Sequence, residues 1–156
     1  MIITTILRQA VNEQKAANMV ASVLYTWNAD ANIKLGTMAM PCAFVQLPKQ
    51  ITLDVDTVVA KEKGNFSIYY LTPQPNIQFE PGQNEALVDT MMALAVDLVG
   101  RLRATRKLHI DNVQCTTGII YDGGDRNLTG VKITFTLTDY QGHCIPTYPT
   151  TPYPTA

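Results

Sequence analysis

Five side chains of this sequence, Cys42, His109, Cys115, His143 and Cys144, are of the types that hold zinc. Zinc sites draw thiolates and imidazoles from paired positions, usually about two to four residues apart. Here His143 and Cys144 are adjacent and the others are scattered. That spacing argues against a metal, and Cys115 reads more simply as a small core residue on the inward face of its strand. Asp122, Asp125 and Asn127 supply the oxygens that calcium takes, but their spacing lacks the alternation of an EF-hand loop. Within Asp122-Gly123-Gly124-Asp125-Arg126-Asn127-Leu128-Thr129-Gly130 they are ordinary turn residues, suited to positive backbone φ. Neither His109 nor His143 lies in a Ser, Cys or carboxylate motif for nucleophilic catalysis, and the glycines follow no phosphate-loop pattern. These residues predict no catalysis, no cofactor and no structural metal.

The charged residues narrow the classes further. They make up 16% of the chain, against about 25% in an ordinary globular protein, and so charge-poor a surface suggests a partner. A net charge of −1 offers no general attraction to a polyanion, which argues against a sequence-specific nucleic-acid binder. The basic cluster Arg101, Arg103, Arg106 and Lys107 stands where the end of a helix is expected, and cations there complement the helix dipole. Three cysteines cannot all pair within one chain, which favours a reducing compartment. The start, Met1-Ile2-Ile3-Thr4-Thr5, lacks the pattern of a signal peptide. The longest apolar stretch, Met91 to Gly100, contains Asp97 and falls far short of the roughly 20 residues that span a bilayer. A soluble protein made in a cytoplasm, without a membrane partner, is expected.

A chain of 156 residues is enough for one domain with a single core. Ile3, Ile6, Leu7, Ala10, Val11, Ala17, Val20, Leu24 and Trp27 recur at helical intervals, so the first 28 residues read as one long amphipathic helix or two abutting ones. Pro41 to Pro48 is a short apolar run fenced by prolines, which suggests a brief strand. Ile51, Leu53 and Val55 alternate with Thr52, Asp54 and Asp56, a second strand with an acidic outer face. Phe66, Ile68 and Tyr70 mark a third. A second helix starts near Asn84, a plausible N-cap, and its apolar stripe Leu87, Met91, Leu94, Leu98 and Leu102 is widened by Val88, Met92, Ala95 and Val99. So broad a stripe needs cover on more than one side. In the last run Val131, Ile133, Phe135 and Leu137 alternate with Lys132, Thr134, Thr136 and Thr138, the period of a half-buried hairpin strand. The expected fold is α+β, in the order α-β-β-β-α-β-β, with a mostly antiparallel sheet packed against two helices. Residues 1–145 form the single domain, and 146–156, with four prolines, an extended arm of polyproline character that also offers a P-x-x-P spacing.

Size and element order resemble the tail terminator, or tail completion, proteins of long-tailed bacteriophages and related neck proteins. The likeness is carried by Pro41 to Pro48, the helix Asn84 to Arg103, and Val113 to Thr138 with its central Asp125-Arg126-Asn127-Leu128-Thr129-Gly130. It implies a structural virion protein of the tail or neck, assembled in the host bacterial cytoplasm. Such a subunit forms a cyclic ring, usually hexameric, that caps the tail tube protein and meets the head connector. Asp122, Asp125, Arg126, Asn127, Leu128, Thr134 and Thr136 are then the candidates for contact with a neighbour or the tube. Asp54 and Asp56 would line a passage that DNA traverses without sticking, although a merely solvated strand face explains them as well. Two other readings stay open: a small ligand-binding or enzymatic α+β domain, and a bacterial adaptor that uses its proline arm.

Overall fold

The structure, a computed structural model, describes residues 2–26, 35, 37–48, 50–73, 83–123 and 126–150, and their side chains except those of 83–84 and 118–127. Its elements are α1 (Ile2–Ala16), β1 (Ser22–Thr26), β2 (Cys42–Gln46), β3 (Thr52–Val55), β4 (Val59–Pro73), α2 (Gln83–Ala104), β5 (Leu108–Gly123), β6 (Arg126–Asp139) and β7 (His143–Cys144). The fold is α+β, as expected. Its sheet runs β1-β2-β4-β6-β5, with β3 and β7 also paired to β4. Every pairing is antiparallel except β1 with β2.

Two strands were not expected. The first helix stops at Ala16, where Asn18 takes φ 57° and the Ala17 and Met19 amides donate to Glu13 and Gln14 carbonyls at 2.9 and 3.0 Å. A left-handed Asn just past the last turn is a standard helix stop. The chain then forms β1 rather than more helix. The helical spacing of Val20 and Leu24 marks no common face, since Val20 joins the core under the helices and Leu24 the cluster on the opposite face of the sheet, and Val23, Tyr25 and Thr26 prefer a pleated surface. Trp27 and 28–32 lie outside the described residues. The other addition, β7, pairs Val59 with Cys144 and Ala60 with His143.

One face of the sheet carries both helices. Phe66, Ile68 and Tyr70 of β4 and Val131, Ile133, Phe135 and Leu137 of β6 point to that face. They meet Ile3, Leu7 and Val11 of α1 and Met91, Leu94, Leu98 and Leu102 of α2. The broad stripe of α2 is thus covered by the sheet and by α1 together. On the opposite face a smaller cluster gathers Leu24, Leu35, Cys42, Phe44, Leu71 and Leu128. Because β2 is buried on both faces, its sequence is a continuous apolar run between prolines rather than an alternation.

A polar chain crosses the main core. Tyr70 donates to Gln14 Oε1 at 2.6 Å, and Gln14 Nε2 donates to the Leu94 carbonyl at 2.9 Å and to Asp97 Oδ2 at 3.0 Å. Arg101 Nε reaches the same carboxylate at 2.7 Å and its other end lies 3.5 Å from Glu13. Sheet, α1 and α2 are therefore joined by groups whose hydrogen bonds are made inside the protein. Arg101, expected only to complement the dipole of α2, is part of this chain.

Candidate functional site

The N-terminus of α1 reaches the β3–β4 hairpin, where the Ile3 amide donates to buried Glu62 at 3.2 Å, but the far end of the hairpin is exposed. Thr52, Leu53, Asp54 and Val55 pair with Lys63, Glu62, Lys61 and Ala60, and the turn closes through the Asp56 amide, which donates to the Val59 carbonyl at 2.8 Å. Leu53 and Val55 were expected on the buried face of this strand. They do share a face with Glu62 and Ala60, yet they are 51% and 69% exposed, and Val58 in the turn is 67% exposed. Ile51, just before the hairpin, is the last of the series to pack on the core. Asp54 and Asp56 are exposed on the same tip. Alternation was legible here, but the helical layer above it ends too early to use it.

A second surface lies between α2 and β5. Ala95, Val96, Val99, Gly100 and Arg103 form one wall, and Val113 and Cys115, above Ile133, form the other, around a groove of about 340 Å³. Val96 is 66% exposed. Gly100 has open space where a Cβ would stand, which widens the groove. Cys115 does face the helix side, but it is exposed rather than part of the core, because it lies in the groove between β5 and α2, whereas Leu108 at the start of β5 packs under the helix. Burial by the groove walls still pushes its thiol pKa up. The groove adjoins a recess lined by Arg103, Arg106, Leu108, His109, Ile110 and Tyr140. Among the described residues neither arginine is held in an ion pair. His109 Nε2 lies 2.9 Å from Asp111 and its Nδ1 3.4 Å from the Tyr140 hydroxyl, all on exposed side chains.

β5 forms a sheet edge, and residues 111–117 are exposed along it. Its pairing with β6 shifts register between Asp111 and Gln114 and again between Thr116 and Ile119, with Asn112 at φ 53°. Bulges of this kind twist an edge away from further strand pairing.

The residues expected to form an interface do not gather in one place. β5 continues to Gly123 and β6 begins at Arg126, so Asp122 and Asn127 face each other as strand partners. Asp125 and the side chains of Asp122, Arg126 and Asn127 fall outside what is described. Leu128 is wholly buried in the smaller core cluster and cannot meet a partner. Thr136 was expected on the outer face, and it is there, but it is buried at 7% exposure and donates to Asn65 Oδ1 at 2.7 Å. Thr134 is half-buried beside it, in a polar furrow with Asn65, Ser67, Asn112 and Gln114. Regular β4–β6 pairing sets Asn65 and Ser67 beside Thr136 and Thr134, and β5 adds Asn112 and Gln114 at its register shift.

Two exposed apolar surfaces, with acids on one and unpaired arginines beside the other, can bind another macromolecule. Among the described residues no three His, Cys, Asp or Glu side chains converge, and no helix is long and apolar enough to cross a membrane. The sequence matches no protein-family model, and no curated protein is significantly similar to it.

Proposed function

We propose that the chain is a structural subunit of a bacteriophage tail or neck, a tail terminator that assembles into a cyclic ring, caps the tail tube and meets the head connector. On this reading it has no catalytic role and no cofactor, and it assembles in the host cytoplasm. The observation that carries the reading is the projecting β3–β4 tip with Leu53, Val55 and Val58 in solvent. Singly exposed apolar residues are ordinary, but three on one short projection have burial left for a partner to complete. The resemblance in element order supplies the kind of partner, and with it the expected count of six copies.

The test is light scattering and electron microscopy of the protein with and without purified tail tubes. A closed ring that binds tube ends and stops their growth is the expected result. A protein that stays monomeric and neither binds nor shortens tubes overturns the reading.

A further inference from the structure

We propose that the apolar tip at Leu53, Val55 and Val58 of one copy seats in the α2–β5 groove of the next copy, with Asp54 and Asp56 toward Arg103 and Arg106. The inference rests on the ring reading above and names the contact that would build it. Three observations converge on a second copy as the occupant. First, the two surfaces lie on opposite sides of β4. On one side β4 pairs with β3 and β2, and on the other with β6, beyond which lies β5. A projection on one side and a groove on the other join head to tail, and such contacts close into rings when the rotation permits.

Second, the charges at the turn are complementary. Lys61 stands across the hairpin from Asp54, so Asp56 is the acid that no base faces within the hairpin, while the groove ends at Arg103 and opens to Arg106. Opposite charges around an apolar centre orient a contact and exclude wrong registers. Third, the bulged β5 edge disfavours strand addition, which leaves the side chains of Val96, Val99 and Val113 as the docking surface.

Cys115 in the groove wall provides a reporter. In a Cys144→Ser background, Val55→Cys should crosslink to Cys115 under mild oxidation at alkaline pH, giving a ladder of covalent oligomers that ends at the ring size. Adding Cys115→Ser should abolish the ladder. Val55→Asp and Val96→Asp should each weaken assembly at least tenfold in sedimentation velocity, with circular dichroism showing that both remain folded. Asp54→Arg combined with Arg103→Asp should recover assembly that either change alone loses. Absence of the ladder, full assembly of both Val→Asp variants, or a wild type that is monomeric throughout overturns the inference. Rings that cap tubes without the ladder overturn this contact and leave the tail reading standing. A ladder from protein that ignores tubes supports this contact and sinks the tail reading.

Discussion

Gln14 sits on the apolar stripe of α1, one step beyond Leu7 and Val11, and is fully buried there. Its amide touches the sheet through Tyr70 and α2 through Leu94 and Asp97, so a single side chain on α1 ties both helices to the sheet. Burial drives the Tyr70 phenol far above its ordinary pKa, opposed in part by the bond to Gln14, and the hydroxyl stays a donor at any working pH. Tyr70→Phe removes that donor and leaves Gln14 Oε1 unsatisfied, for which a loss of about 1–3 kcal/mol is expected in urea unfolding. Burial raises the Asp97 carboxyl, but hydrogen bonds from Arg101 and Gln14 and the charge of Arg101 outweigh it, and its pKa lies below the usual carboxylate value. A depressed folded pKa stabilises the protein above the unfolded value of about 3.9 and loses that contribution as pH falls through the folded value. Asp97→Asn should therefore be less stable than wild type at neutral pH, with the difference shrinking below about pH 4. Sequence periodicity did not single out Gln14, and its partners, on β4 and α2, are distant along the chain, so no spacing reveals them.

At the level of elements, periodicity found the core strands and missed the boundaries. The alternation in β6 matches the buried face residue for residue, because half-burial imposes a period of two. Residues 122–130 read as a turn because Gly, Asp and Asn prefer turns. Pairing with β4 overrides that preference from Gly130 to Leu128, opposite Leu71 to Pro73. Exchanging all of 122–130 for a short turn would thus delete buried strand, Leu128 included, and is expected to unfold the protein rather than spare the monomer. Gly130 shows why the residue type matters there. A Cβ at this position would fall on the Tyr70 carbonyl oxygen, part of the β4 backbone, which cannot yield as a flexible side chain can. Gly130→Ala should cost at least the upper end of the roughly 1–3 kcal/mol typical of overpacking, read as a lowered melting temperature. β1 is the opposite case: its residues suit a strand, and the helical spacing of Val20 and Leu24 is coincidental, since the two pack on opposite faces of the sheet.

On the scale of the whole molecule, the low charge content and the broad apolar stripe of α2 both suggested unmet burial. α1 and the sheet satisfy most of that stripe, leaving Val99 half-buried at the groove beside Val96, which lies off the stripe and is exposed, while the exposed apolar tip came from a strand that looked half-buried. A sequence cannot show where a covering layer ends, so neither the tip nor the groove was legible. Linkage supplies a prediction that needs no tail tube. If assembly buries the tip, the wild-type melting temperature should rise with protein concentration, since association stabilises the folded state by mass action. Val55→Asp should melt within about 0.5 kcal/mol of the dilute wild type and show no such rise.

A ring built by the proposed tip-in-groove contact would have a direction. Copies related by rotation alone, each inserting its tip into the neighbour ahead, all present the same end upward, so the two rims of the ring are chemically different. A mutual two-fold contact would instead flip alternate copies and make the rims alike. A collar with unlike rims can tell its two axial neighbours apart, and it can stack on a cylinder from one side without seeding a second cylinder on the other.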